Sequence, residues 1–199
     1  MKEKVVLFGG TFDPIHYGHI KPVSQACLSI SANKLIFIPC HIPPHKQTPS
    51  VTSEDRMNMA KLVADELNQS LPFSVSCSDY EIAQGGQSYT RLTIEYFANN
   101  YRDCELYFVI GMDSYVNFTK WYKWHEILDF CQLIVLNRPG YLIDQTLQPG
   151  LLVQRSQLIE VEQVDISSTE LRENKQSDKI NQWLTPAVQD YIAEHNLYI

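Results

Sequence analysis

The feature that most constrains the fold is a repeated alternation of short apolar runs with segments of helical periodicity. Residues 5–8 form a continuous apolar run that ends at Gly9-Gly10, which is typical of a buried parallel strand. Residues 18–33 repeat apolar side chains every three or four positions, and residues 35–39 resemble a second buried strand. This opening predicts a right-handed strand–helix–strand unit.

The same alternation continues along the chain. We predict further helices at residues 53–68 (capped by Thr52 or Ser53), 89–99 and 121–130, and further strands at residues 73–77, 105–110, 133–136 and 158–161. Thr185-Pro186 predicts the start of a last helix, and residues 140–150 a loose segment. The pattern predicts an α/β fold with a doubly wound, mostly parallel sheet and short C-terminal helices. We expect one domain over residues 1–199, with residues 165–199 as a helical appendage.

Composition narrows the class of function. The formal net charge is −7, so no global field attracts nucleic acid, and we expect no nucleic-acid partner. The five cysteines are widely spaced and include no C-x-x-C, which favours small buried side chains in a reducing compartment. The sequence shows no targeting segment and no apolar run long enough to span a membrane, so we expect a cytoplasmic protein. The sequence leaves open whether the protein forms a homo-oligomer.

Residues 9–19, GGTFDPIHYGH, lie where the first strand gives way to the first helix. Ligands of open α/β sheets bind at this edge, and glycines expose backbone N–H groups to phosphates. His16 and His19 can each donate a hydrogen bond to a phosphate oxygen. The segment is neither a Walker loop nor a dinucleotide fingerprint. Singly, its residues have simpler interpretations, since Asp13-Pro14 starts turns and we assign Asp13 a structural role.

The segment resembles the H-x-G-H signature of the nucleotidyltransferase superfamily and, in its fuller form, the bacterial nicotinate-nucleotide adenylyltransferases. Later segments that resemble this family are PPHK at 43–46, SYT at 88–90, GMD at 111–113, WYKW at 121–124, RPG at 138–140 and ISSTELR at 166–172. Met112 and Leu171 depart from the residues common in the family, but neither change removes a polar contact. The resemblance implies a Rossmann-like nucleotidyltransferase fold and adenylyl transfer from ATP to nicotinate mononucleotide.

The resemblance also implies roles for particular residues. His16 and His19 would be catalytic and hold the phosphates. The residues assigned to ATP are Gly9, Gly10, Thr11, Phe12, Lys46, Gly111, Asp113, Ser168, Thr169 and Arg172. The residues assigned to nicotinate mononucleotide are Thr90, Trp121 and Tyr122, with the Trp121 ring stacking on the pyridine. The resemblance implies that Mg²⁺ bridges the phosphates of ATP. The sequence contains no carboxylate cluster that would indicate a metal site built from protein side chains alone.

Each assignment has a simpler alternative. Ser167 to Thr169 can be a plain helix N-cap with Glu170 in the first turn, and Lys46 can be a solvated loop lysine. Asp113 can cap a helix. Trp121 and Trp124 can be core residues, and we expect Trp124 to be one.

Other functions also remain open at this stage. A sibling transferase acting on nicotinamide mononucleotide or phosphopantetheine would share the H-x-G-H signature. A non-catalytic ATP-sensing module would share the sheet. A metal-binding protein could use histidines and a cysteine, namely His16, His19, Cys40, His41 and His45.

Overall fold

The chain forms a six-stranded parallel sheet with helices on both faces. The computed structural model describes residues 2–43, 48–137, 148–162, 164, 166–173 and 181–198. Its strands are β1 Lys4–Gly10, β2 Lys34–Pro39, β3 Ser74–Cys77, β4 Glu105–Gly111, β5 Gln132–Asn137 and β6 Ser156–Glu160. The spatial order is β3-β2-β1-β4-β5-β6, and every neighbouring pair is parallel. This is a Rossmann-like sheet, whose strand order reverses direction between β1 and β4.

The helices connect successive strands or follow the last one. They are α1 Tyr17–Ser29, α2 Ser53–Asn68, α3 Tyr80–Gln84, α4 Thr90–Asn100, α5 Met112–Val116, α6 Trp124–Phe130, α7 Gly150–Gln154, α8 Ser168–Glu173 and α9 Pro186–Glu194. Short 3₁₀ segments lie at Phe118–Lys120 and Asn181–Trp183. Within the described ranges, no helix combines the length and apolarity needed to cross a bilayer.

The sheet separates two apolar cores. Val6 and Phe8 of β1 face the core formed with α1 and α2, whereas Val5 and Leu7 face the core formed with α4 and α6. Successive side chains of a strand point to opposite faces, so an uninterrupted apolar run is required when both faces are covered. The continuous apolar strands of the sequence therefore reflect burial on two sides.

Two predicted helix boundaries are wrong for the same reason. The helix predicted over residues 18–33 ends at Ser29, because Ser31 adopts a left-handed conformation with φ 55°. The N–H of Ala32 then donates to the Cys27 carbonyl, which closes a Schellman-type end. Likewise the helix predicted from residue 121 begins at Trp124, since Lys123 has φ 49°. Glycine usually occupies such positions, so neither end carries the usual sequence signal.

Other predictions are confirmed or lie beyond what can be described. The helix predicted over residues 53–68 forms α2 with Thr52 as its N-cap, and α9 begins at Pro186 after Thr185. The three five-residue helices α3, α5 and α7 were not predicted, because a helix of little more than one turn is too short to show a periodicity.

Most of the segment predicted to be loose, residues 140–147, lies outside the described residues. All five cysteines are free thiols. The single domain with a C-terminal appendage stays a prediction.

Among the residues that the structure describes, the most buried charged side chain is Arg56, on the inner face of α2. It is only 1% exposed. Its guanidinium donates to the Thr11 carbonyl at 2.7 Å and to the His41 carbonyl at 3.0 Å. Arg56 therefore joins α2 to the loops that follow β1 and β2.

Replacing Arg56 with Leu should destabilise the protein by about 2–4 kcal/mol, because the part-buried carbonyls of Thr11 and His41 would lose their charged donor. Urea denaturation at pH 7 measures this difference. Arg102→Leu is a matched control at an exposed position, and we expect it to change stability by less than about 0.5 kcal/mol. Equal stability of the two variants would contradict the proposed support by Arg56.

Candidate active site

A cavity of about 1460 Å³ opens at the carboxyl ends of β1 and β4, where the strand order reverses. Its wall includes most of the residues that the sequence assigned to a nucleotide site: Gly9, Gly10, Thr11, Phe12, His16, His19, Gly111, Asp113, Trp121, Ser168, Thr169 and Arg172. The fold thus brings together segments that are more than 150 positions apart in the sequence.

The loop after β1 is anchored by the Phe12 side chain. Phe12 is 1% exposed, and its ring packs against Phe8 and Phe37 with centroids 5.7 and 5.8 Å away. Its backbone is left-handed, with φ 52°, which is unfavourable for a bulky residue. A Cβ on Gly10 would lie 2.6 Å from that ring, so glycine is required there. Burial of the ring offsets the strained backbone and fixes the loop.

His16 is both the N-cap of α1 and a buried imidazole of the cavity wall. Its Nδ1 accepts a hydrogen bond from the Gly18 N–H at 3.0 Å. Burial lowers the pKa of His16 from 6.5 to about 4, although the nearby Glu170 carboxylate opposes this shift. A neutral ring whose Nδ1 accepts carries its hydrogen on Nε2. This Nε2 is buried and meets no acceptor in the described part of the chain.

His19 lies one helical turn from His16. The two ring centroids are 3.9 Å apart, and the edge of the Phe12 ring packs against His19 at 5.4 Å. A Cβ on Gly18 would lie 2.8 Å from the His16 ring, so the glycine between the histidines allows this close pairing. His19 is half-buried and lines the cavity.

Asp13 joins four segments of the chain beneath this cavity. Its carboxylate accepts from the Ser50 N–H at 2.8 Å and from the Tyr198 hydroxyl at 2.9 Å. Its carbonyl accepts from the Arg172 guanidinium at 2.7 Å. Burial, reinforced by Asp13, raises the pKa of Tyr198, so its phenol stays protonated and donates. These contacts agree with the structural role expected of Asp13.

The segment before α8 combines a helix cap with a wall of the cavity. Ser167 and Glu170 form a reciprocal capping box: the Glu170 N–H donates to the Ser167 hydroxyl, and the Glu170 carboxylate accepts from the Ser167 N–H. Ser168 donates to the Pro14 carbonyl, and Thr169 accepts from Arg172. The plain N-cap is therefore present at Ser167, while Ser168, Thr169 and Arg172 also line the cavity.

The other wall follows β4. Asp113 is an exposed residue in the first turn of α5, and Gly111 is the N-cap residue, so Asp113 does not cap the helix as one alternative supposed. The Trp121 ring packs against Phe118 at 5.1 Å. Trp124 is half-buried and packs on the same core, as expected.

Three assigned residues are not part of the described cavity wall. Thr90 is the first residue of α4, and the exposed Tyr122 precedes α6; neither lines the cavity as it is described. The two segments are nonetheless neighbours, because the rings of Tyr89 and Tyr122 lie 5.2 Å apart. Lys46 and Arg138-Pro139-Gly140 lie outside the described residues.

Two supporting residues were missed by the sequence analysis. Arg56 could have been recognised, because it lies four and seven positions before the buried Ala60 and Val63 on the apolar face of α2. A charged residue on such a face needs buried partners. Tyr198 had no comparable signal, since it lies 185 positions from Asp13.

Comparison with known proteins places this arrangement in a family. A model of the cytidylyltransferase-like family matches residues 7–174. A Shewanella pealeana protein named "Probable nicotinate-nucleotide adenylyltransferase" is 36% identical over 211 residues, covering 98% of this chain and 95% of that protein. A protein of the same name from Shewanella baltica is 34% identical over 219 residues, covering 98% and 99%.

Solved structures show the same fold. Plasmodium falciparum nicotinic acid mononucleotide adenylyltransferase complexed with APC superposes with a TM-score of 0.79 at 20% identity, covering 98% of this chain and 97% of that one. The same enzyme complexed with NaAD gives 0.78 at 21% identity with the same coverage. The sequence identity over nearly the full length shows that this chain belongs to the nicotinate-nucleotide adenylyltransferases of the cytidylyltransferase-like family.

Proposed function

We propose that this protein transfers the adenylyl group of ATP to nicotinate mononucleotide, giving nicotinate adenine dinucleotide and pyrophosphate in NAD biosynthesis. The observation that carries the proposal is the pair of imidazoles, His16 and His19, whose ring centroids lie 3.9 Å apart at the end of β1 in a large cavity. The names of the full-length relatives support the choice of acceptor.

The reaction is a displacement at the α-phosphorus of ATP. A 5′-phosphate oxygen of the mononucleotide forms the new P–O bond, while the bond from the α-phosphorus to the bridging oxygen breaks and pyrophosphate leaves. No covalent enzyme intermediate is required, so catalysis consists of alignment and of stabilising charge on phosphate oxygens.

The two histidines would act on those oxygens as hydrogen-bond donors. His16 is held neutral with its hydrogen on Nε2, so it donates without a protonation step. His19 would face the charge that develops at the α-phosphate. Backbone N–H groups of Gly9, Gly10 and Thr11, at the end of β1 and the start of the following loop, would add further donors.

The Ser168–Arg172 wall would form the second phosphate contact. The Arg172 guanidinium donates to the Asp13 carbonyl and to the Thr169 hydroxyl, and the side chain remains 27% exposed. A guanidinium has five N–H groups, so these two hydrogen bonds leave further donors for an anion. Gly111 and Asp113 would lie at the ribose of ATP. Phe12 would contribute through its backbone, because its ring is buried.

Mg²⁺ would enter with ATP. The described residues bring together no group of three His, Cys, Asp or Glu side chains suited to a metal. The buried Asp13 carboxylate already accepts from Ser50 and Tyr198. Phosphate oxygens and water would therefore hold the ion, which supplies charge neutralisation. The rival metal-binding function also invoked His45, which lies outside the described residues.

The acceptor would occupy the Trp121 side of the cavity. The Trp121 ring offers a flat apolar face for the pyridine, and N–H groups near Thr90 and Tyr122 would receive the nicotinate carboxylate. Sites built from neutral donors favour the acid over the amide. The cytoplasmic location and the oligomeric state stay predictions.

The choice of acceptor can be tested by incubating the protein with ATP, Mg²⁺ and either nicotinate or nicotinamide mononucleotide, and following pyrophosphate. We expect kcat/KM to be at least about tenfold higher with the nicotinate compound, because its carboxylate accepts hydrogen bonds that the amide cannot match. Equal or faster turnover with nicotinamide mononucleotide, or turnover only with phosphopantetheine, would overturn the proposal. ATP binding without turnover of any acceptor would favour a sensing module.

His19→Ala should lower kcat by at least about a hundredfold, because a donor to the developing phosphate charge is lost. The same pyrophosphate assay measures the effect. His125→Ala removes an exposed imidazole on α6 and should leave kcat within about twofold. Near-normal turnover in the His19 variant would remove His19 from the mechanism.

The lowered pKa of His16 predicts a specific pH dependence of stability. Between about pH 6.5 and pH 4 the unfolded chain binds a proton that the folded chain does not, so the stability contributed by His16 falls as the pH falls through this window. His16→Asn keeps an acceptor for the Gly18 N–H but does not titrate. Relative to this variant, the wild type should lose on the order of 3 kcal/mol from pH 7 to pH 4 in urea denaturation. Parallel pH profiles of the two proteins would contradict the assigned pKa.

A further inference from the structure

The two segments assigned to the acceptor are each followed by a cationic residue. Arg91 follows Thr90 in the first turn of α4, and Lys123 follows Trp121-Tyr122 immediately before α6. These cations are therefore attached directly to the backbone that would contact nicotinate mononucleotide. Their side-chain partners determine how the two segments are held relative to each other.

One carboxylate joins both cations. Glu126 Oε2 lies 2.6 Å from Arg91 Nε, and Glu126 Oε1 lies 3.0 Å from Lys123 Nζ. The hydrogen bonds from Lys123 and Arg91 lower the pKa of Glu126, so it is ionised at neutral pH. Glu126 thus bridges the start of α4 and the turn before α6.

The two cations of the bridge differ in burial, since Arg91 is packed against neighbouring side chains and Lys123 is exposed. The Arg91 side chain is 12% exposed, its guanidinium lies 5.1 Å from the Phe130 ring centroid, and it also pairs with Glu95 at 2.9 Å. The Lys123 side chain is 47% exposed. Arg91 is therefore a well-packed anchor on α4, to which Glu126 connects the more exposed Lys123.

The backbone turn at Lys123 is the conformation that the bridge stabilises. Lys123 is left-handed, with φ 49° and ψ 43°, a conformation that is unfavourable for a non-glycine residue. No side chain caps α6 at this position. The Lys123–Glu126 ion pair spans this turn, and the Glu126 N–H donates to the Lys123 carbonyl at 3.0 Å. The bridge therefore stabilises the backbone conformation that presents Trp121 and Tyr122.

We propose that Glu126 is a positioning residue that sets the spacing between Thr90 and the Trp121-Tyr122 turn, and thereby the affinity for the mononucleotide acceptor. This inference rests on the proposed function. The bridged cluster of Arg91, Lys123, Glu95 and Glu126 has two charges of each sign. Its effect on an anionic acceptor is therefore geometric, because small errors in the placement of binding groups are costly.

Two substitutions distinguish an effect of the bridge's geometry on KM from an effect of its charge. Glu126→Gln and Lys123→Met both break the bridge, but the first adds a net positive charge and the second removes one. Positioning predicts that both raise the KM for nicotinate mononucleotide, by about fivefold for Glu126→Gln and about twofold to threefold for the exposed Lys123→Met, while the KM for ATP stays within about twofold. Steady-state kinetics with each substrate varied measures both constants.

Glu95→Gln is the matched control. It removes the other carboxylate paired with Arg91 without touching the turn, so the KM for nicotinate mononucleotide should stay within about twofold. If Glu126→Gln lowers the melting temperature, Lys123→Met tests the same bridge at an exposed site. Opposite shifts of KM in the two bridge variants, unchanged KM in both, or an equal rise of both substrate KM values would overturn the inference. Absent wild-type turnover of nicotinate mononucleotide would instead overturn the proposed function together with it.

Discussion

The hydrogen bond from the Gly18 N–H to His16 Nδ1 is the contact on which the site depends. It caps α1, which starts the first crossover of the sheet, and it places the imidazole hydrogen on Nε2. One interaction therefore sets both the helix boundary and the chemical form of a buried side chain. His19 follows within the first turn of the same helix, so its position relative to His16 is fixed by helical geometry.

The loop that carries these histidines is held from several directions. Arg56 binds its Thr11 carbonyl from α2, and Asp13 binds Ser50, Tyr198 and Arg172 from distant parts of the chain. The strained backbone at Phe12 is offset by a buried ring. Rigid placement of donors matters because such donors stabilise phosphate charge best when no reorganisation is needed.

The segments that we propose bind the acceptor are held differently. Thr90 and the Trp121-Tyr122 turn are joined by the ion pairs of Glu126 with Arg91 and Lys123, and the cavity wall as described includes Trp121 but neither Thr90 nor Tyr122. The Lys123 end of these ion pairs is 47% exposed, whereas the loop after β1 is held by hydrogen bonds of the buried Arg56 and Asp13 side chains. The two sets of segments are thus held by different kinds of interaction.

The amino-acid sequence by itself determined the parallel sheet, since strands covered on both faces must be apolar throughout, and it determined the histidine pair, since both residues lie within one helical turn. The end of α1 and the start of α6 were not predictable, because Ser31 and Lys123 occupy left-handed positions where glycine is the usual signal. Only the tertiary structure decided that Tyr198 and Arg172 meet Asp13, and that Glu126 joins Arg91 to Lys123. These contacts depend on how separate helices pack around the sheet, and local periodicity carries no information about that packing.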